Sequence, residues 1–202
     1  MNILLASSNR HKLKELREIF ADTPVNIEMA QSSMLEGVEE SAPTFVENAL
    51  IKARALAEKV GGPALADDSG LVVPCLNGAP GVYSSRYCGQ NASDAENNAK
   101  LVRELKRQGF SGEPEKSAPE AFFYCVLVYL EGPRYPTPLM CEGVWRGRIV
   151  LEPRGDSGFG YDPHFLPRDG AHTAAELSTN EKNAHSHRGQ ACRAMRSLIL
   201  SE

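Results

Sequence analysis

No apolar run in this sequence is long enough to span a membrane. The longest, Ala121 to Leu130, is about half of what a transmembrane helix needs. A secretory signal is also missing: Asn2-Ile3-Leu4-Leu5-Ala6 turns polar at once in Ser7-Ser8-Asn9-Arg10. Cysteine is sparse. Cys75, Cys88, Cys125, Cys141 and Cys192 are odd in number, far apart and never in a CxxC, so neither a disulfide framework nor a zinc site is expected. Reduced thiols and a cytoplasmic location are the simplest reading. There is no internal repeat and no long low-complexity tract. Nor is there a basic excess: a formal net charge of -4 argues against bulk binding to nucleic acid or an anionic membrane. A pocket on an acidic protein can still be basic, so a small anionic ligand stays open.

What is present is ordinary for a globular protein: 202 residues, 42% hydrophobic and 24% charged. That is enough for a sizeable core, as one large domain or one domain with a lobe. Asn2 to Ala6 reads as a short buried strand. Ser8 or Asn9 can cap a following helix with Leu13, Leu16 and Phe20 on one face. Thr44-x-x-Glu47 is a capping box opening a helix to about Val60, stopped by Gly61-Gly62-Pro63. Ala64 to Ala66 is expected as a strand delivering Asp67 and Asp68 at its carboxyl end, where open α/β sheets place ligands. Ser93-x-x-Glu96 opens a third helix ending near Gly109, and Ser111 to Glu120 reads as a loop. Phe122 to Leu130 is a strong strand. After a turn at Gly132-Pro133, Leu139 to Val150 should return antiparallel, with Gly143 and Gly147 marking bends or bulges. Ser178-x-x-Glu181 should open the C-terminal helix. Strand–helix alternation followed by a long hairpin predicts an α/β or α+β protein with a central mixed sheet.

The sharpest chemical signal is Ala66-Asp67-Asp68-Ser69-Gly70-Leu71. Adjacent carboxylates repel, so a fold tolerates the pair best where a cation or a proton-transfer task needs one of them. Mg²⁺ is held by one or two carboxylates together with waters and substrate phosphates, and a carboxylate there can orient or deprotonate water. The plain alternative is an Asp-Ser-Gly turn after a strand. Ser7-Ser8-Asn9-Arg10-His11-Lys12 lies at a strand-to-helix junction, where N–H groups and Lys12 can bind an anion, or where a cap is simply followed by solvated charges. Asn48 and Lys52 share one helix face, so Lys52 can reach a phosphate, or be an ordinary surface lysine. Glu39 and Glu40 are candidate second carboxylates, or acidic residues placed for the helix dipole.

Gly78 to Arg86 is a Gly/Pro loop ending in a cation. Phe159-Gly160-Tyr161-Asp162 offers an aromatic face, a glycine for close approach and a carboxylate edge, which together suit a purine or a turn with a core aromatic. Lys182, His187 and Arg188 fall at the start of the last helix. Lys and Arg can donate but not accept, so they favour a keto oxygen over an amino group and hence a 6-oxopurine. A merely basic helix face is the alternative.

Taken together these segments resemble the inosine triphosphate pyrophosphatase family, which hydrolyses non-standard purine nucleoside triphosphates. The resemblance rests on Ser7-x-Asn9-x-x-Lys12, Phe45-x-Glu47-Asn48-Ala49, Ala66 to Leu71, Gly81 to Arg86, Phe159 to Pro163 and Ser186-His187-Arg188-Gly189. It covers nearly the whole chain. It implies an elongated α/β fold of two lobes, with a ligand cleft between them, as one domain over residues 1–202 and as a homodimer. It implies Mg²⁺-dependent release of pyrophosphate from ITP, dITP and XTP. By the same resemblance Asp68 matches the proton acceptor and a metal ligand, and Glu40 a second metal position. Ser7, Ser8, Asn9, Arg10, His11, Lys12 and Lys52 match phosphate contacts. Ser69 and Arg86 match further substrate contacts. Phe159, Gly160, Tyr161, Asp162, Lys182, His187 and Arg188 match the base pocket. Ser7-Ser8 stands where many members carry Thr-Gly. Two rival readings are a pyrophosphatase for other modified nucleotides and a nucleotide sensor without turnover. Retention of both Asp67 and Asp68 disfavours the sensor.

Overall fold

Ile3 and Leu5 are fully buried while Asn2 is exposed, the period-two pattern that makes Asn2–Leu5 a strand, β1. The computed structural model describes residues 1–111 and 117–201. Helix α1, Arg10–Phe20, follows β1. Asn9 rather than Ser8 is its cap, its Oδ1 accepting from the N–H of His11 (2.9 Å) and Lys12 (3.3 Å). The chain then returns as β2, Asn26–Met29, parallel to β1 with Asn2 opposite Asn26 and Leu5 opposite Met29. This strand has only four residues, too few for the pattern to announce it. Helix α2, Phe45–Val60, opens on Thr44, which accepts from Glu47 N–H, and closes on Gly61 in the left-handed region (φ 64°).

Strand β3 runs Ala64–Val72 and lies parallel to β1, with Leu4 opposite Ala64. One sequence expectation changes here, and one alternative falls. The strand does not stop at Ala66, so Asp67 and Asp68 sit in its middle rather than at its carboxyl end. The Asp-Ser-Gly segment is therefore no turn. Its continuation is secured by Ser84, whose Oγ accepts from Leu71 N–H (2.9 Å) and donates to Gly81 carbonyl (2.6 Å). A Cβ on Gly70 would collide with that same Ser84 Oγ and sit 2.5 Å from the Gly81 oxygen, so glycine here marks a close approach.

Helix α3, Asp94–Arg107, has the full Ser93/Glu96 capping box. Part of the expected Ser111 to Glu120 loop, residues 112–116, lies outside the described residues. Strands β4 (Glu120–Leu130) and β5 (Leu139–Ile149) follow, then β6 (Phe165–Pro167), antiparallel to β5. The sheet order is β2-β1-β3-β4-β5-β6, a mixed sheet flanked by helices. Gly143 and Gly147 both lie within β5, where each marks a close approach of another segment. A side chain at Gly143 would strike the backbone of His187, and one at Gly147 the backbone of Leu166 and the ring of Phe165. The C-terminal helix also differs from expectation. Ser186 adopts an extended backbone (ψ 155°) and divides α4, Thr179–His185, from α5, His187–Ser201. Lys182 thus belongs to one helix and His187 and Arg188 to the next.

The chain divides into two units. The first, Met1–Asp68, Cys125–Gly143 and His187–Glu202, is built on Ile3, Leu5, Leu16, Phe20, Leu65, Leu127 and Met195. The second, Ser69–Tyr124 and Val144–Ser186, is built on Leu71, Leu101, Phe123, Trp145, Tyr161 and Phe165. Among the described residues no helix is long and apolar enough to cross a membrane, and all five cysteines are outside disulfides. Burial pushes the Cys125 thiol up to about 12, which leaves it unreactive at neutral pH.

Candidate active site

Successive side chains of a strand point to opposite faces, and β3 uses this to separate its two carboxylates. Asp67 meets α1 and α5: Lys12 Nζ stands 2.9 Å from Asp67 Oδ2, and Arg188 Nε 3.5 Å from the same oxygen. Asp68 meets α2 instead, its Oδ1 3.4 Å from Lys52 Nζ. Lys52 also lies 3.1 Å from Glu40 Oε2, so one ammonium bridges two carboxylates. Asn48, one turn earlier on α2, both accepts from and donates to the backbone of Ala42 (3.0 and 3.1 Å), which braces the loop carrying Glu40. Glu39 is exposed, and Glu40 is the member of the pair that reaches Lys52.

The two aspartates are electrostatically unlike. Burial alone would raise Asp67, but Lys12, Arg188 and Lys52 outweigh it and hold its carboxyl well below the ordinary range. For Asp68 burial prevails, reinforced by the charges of Glu40 and Asp67 against those of Lys52 and Lys12, and its carboxyl is raised. Asp68 Oδ2 is buried and has no hydrogen-bond partner among the described residues. Burial disfavours the Lys52 ammonium, yet Asp68, Asp67 and Glu40 together hold its pKa above the usual lysine value. The first unit therefore contains one locked carboxylate and one with an oxygen available for chemistry.

Of the segment Ser7 to Lys12, Ser7 Oγ accepts from Asn9 N–H (3.2 Å) and Asn9 caps α1, while Ser8, Arg10 and His11 are exposed. A partner absent from the sequence reading is Glu15, which binds Arg188 Nη1 at 2.7 Å. A signal for it existed: Glu15 is three residues beyond Lys12 and so lies on the same helix face as that lysine. Arg188 is thereby placed with Glu15 and Asp67, and His187 is buried at the start of α5.

In the second unit Lys182, buried on α4, donates to Asp162 Oδ2 at 2.7 Å and lies 4.6 Å from the Phe159 ring centre. The same oxygen accepts from Phe159 N–H at 2.9 Å. Gly158 at φ +80° leaves room for that carboxylate. Aromatic face, carboxylate and ammonium thus form one constellation. Tyr161 lies in the core and donates its hydroxyl to Ser84 carbonyl (2.8 Å), anchoring the loop from below. Ser69 is half-buried on β3, and the Arg86 guanidinium lies 5.2 Å from the Tyr83 ring centre. Asp94 and Asn98 of α3, which the sequence reading missed, hold the backbone of Gly160. The capping box beside Asp94 hid it, because that motif already explains an acidic first turn.

Residues 3–198 match the model of the Ham1 family. A dITP/XTP pyrophosphatase of Coxiella burnetii is 47% identical over 202 residues, covering 100% of this chain and 98% of its own length. That of Escherichia coli O157:H7 is 47% identical over 195 residues, covering 96% and 95%. Among solved structures, a HAM1 protein from Coxiella burnetii superposes with TM-score 0.89 at 46% identity over 100% of both chains. The Staphylococcus aureus Ham1 protein gives 0.83 at 34% identity, covering 100% of this chain and 99% of its own. With its whole length, its mixed sheet and the residues around Asp67 and Asp68 all accounted for, the chain belongs to the Ham1 family.

Proposed function

We propose that this chain hydrolyses the non-standard purine nucleoside triphosphates ITP, dITP and XTP to the monophosphate and pyrophosphate, as one domain over residues 1–202 and as a homodimer. The observation that carries the reading is the unlike treatment of adjacent carboxylates: Asp67 is fixed by cations, and Asp68 keeps a buried oxygen with no hydrogen-bond partner among the described residues. The names of the relatives supply the substrate class.

Lys12 and Lys52 supply positive charge for a polyphosphate, which is chiefly what phosphoryl chemistry asks of a protein. Asp68 is the group to orient water and take its proton, because its carboxyl is raised toward the working pH and Asp67's is lowered away from it. Asp67 keeps Lys12 in place.

The donor set also suits Mg²⁺. Among the described residues no three His, Cys, Asp or Glu side chains cluster as a closed metal site. Mg²⁺ needs none, taking one or two carboxylates and filling its shell with water and phosphate oxygens. Asp68 and Glu40, already bridged by one cation, would hold it. When bound it would neutralise charge on the phosphate oxygens.

Phe159 stacks on the base while Lys182 and Asp162 address its edge. A donor aimed at a 6-oxo group disfavours adenine, and such a site can discriminate by ~10⁴ or more. The test is product analysis with ITP, XTP, GTP and ATP, each with and without Mg²⁺. IMP or XMP plus pyrophosphate, only with metal and with little from ATP or GTP, is expected. Orthophosphate as product would overturn the assigned bond, and equal rates on all four would overturn the base assignment.

A further inference from the structure

We propose that Asp94 and Asn98 are positioning residues for nucleobase recognition, acting through Gly160. The inference rests on the reading that Phe159, Asp162 and Lys182 meet the base.

Asp94 and Asn98 are four residues apart on α3 and so share a face. Gly160 donates its N–H to Asp94 Oδ2 at 2.6 Å, and Asn98 Nδ2 donates to the Gly160 carbonyl at 2.8 Å. Both polar backbone groups of one residue are held by one rigid helix. Gly160 is in the left-handed region (φ +63°), which glycine adopts without the strain other residues carry there. On its amino side Phe159 is tied to Asp162, and through it to Lys182. On its carboxyl side Tyr161 is tied to Ser84. Gly160 is the link between these anchors, and fixing its two peptide planes fixes the backbone from which the Phe159 side chain projects. Capping α3 does not require Asp94 for this, because Ser93 and Glu96 already form the reciprocal cap.

A positioning role and a merely structural one differ in kinetics. Asp94→Ala and Asn98→Leu each remove one hydrogen bond that holds the Gly160 backbone beside Phe159, an interaction typically worth about a 3- to 10-fold change in an equilibrium. Each variant is expected to raise KM for ITP roughly 3- to 10-fold, to leave kcat nearly unchanged, and to lower the ITP-over-ATP preference in kcat/KM by a similar factor. Asp94→Asn should restore both quantities, since its carboxamide oxygen still accepts from Gly160. Phe159→Ala is the companion variant. If it raises KM while Asp94→Ala and Asn98→Leu leave KM and preference at the parent values, or lower kcat alone, the positioning role is overturned. If Phe159→Ala itself leaves KM unchanged, the base-pocket reading falls and the inference with it. Asp94 is exposed, so its alanine variant keeps the test open even if Asn98→Leu does not fold.

Discussion

Asp67 and Asp68 are chain neighbours whose conversion to asparagine should have opposite effects on stability and unequal effects on turnover. Asp68→Asn keeps the volume and removes a charge that burial penalises. A carboxyl raised in the folded state is one whose ionised form the fold disfavours, so at neutral pH its neutral isostere relieves a cost. Lys52 retains Glu40 at 3.1 Å. The melting temperature should hold or rise. Turnover should fall ~10²–10⁴-fold, the usual worth of general-base assistance.

Asp67→Asn removes the anion that Lys12 and Arg188 approach at 2.9 and 3.5 Å at a site with 0% exposure. Breaking a buried pair costs about 3–5 kcal/mol. For a chain of this size that corresponds to roughly 6–20 °C in melting temperature. Its turnover, measured on folded protein, should fall less than that of Asp68→Asn. The assay is pyrophosphate release from ITP under saturating metal, with thermal melts of the same preparations. Near-normal turnover by a folded Asp68→Asn, or a melting temperature of Asp67→Asn equal to the parent's, would refute the electrostatic division of labour.

The remaining expectations concern the same charges and one glycine. Because Asp68 is raised, the acid limb of kcat/KM should lie above the ordinary Asp value of ~3.9. Lys52→Met, removing the largest opposing charge, should move that limb further up. Asp67 is depressed in the fold, so the stability it contributes is present above its unfolded value and lost as pH falls toward its folded one. Urea melts of Asp67→Asn from pH 7 downward should show a flatter acid-side decline than the parent. Arg188→Met removes the cation shared by Glu15 and Asp67 and should cost about 3–5 kcal/mol in a denaturant melt. Part of this should return in Glu15→Leu combined with Arg188→Met, which replaces two of the buried charges by apolar groups. Gly70→Ala drives a methyl onto Ser84 and the Gly81 carbonyl and should destabilise by about 1–3 kcal/mol. A parent-like melting temperature would show that the β3 contact yields freely.

Much of this was legible in the chain because the signals are local. Thr44-x-x-Glu47, Ser93-x-x-Glu96 and Ser178-x-x-Glu181 each open a helix where the pattern predicts, since a cap satisfies N–H groups only a few residues away. Gly61 ends α2 for an equally local reason. The Asp pair stood out because like charges at adjacent positions need an explanation. The errors have the opposite character. Strand β3 runs through the Asp-Ser-Gly segment because Ser84, thirteen residues on, accepts from Leu71. Gly143 and Gly147 face the backbones of His187 and Leu166, contacts that leave no trace in neighbouring residues. The break at Ser186 interrupts what the capping box beside Ser178 alone would continue.

The sequence by itself determined the residue types that could hold a metal, a polyphosphate and a base, and the helices that carry Lys12, Lys52 and Lys182. Only the tertiary structure decided their partners. It set Asp67 between Lys12 and Arg188 and set Asp68 against Lys52 and Glu40. It brought Glu15 to Arg188 across 173 positions and Asp94 to Gly160 across 66. Helix caps depend on neighbours along the chain. The raising of one buried carboxylate and the lowering of the next depend on which distant charges the fold brings within a few ångströms, where low dielectric makes each of them count.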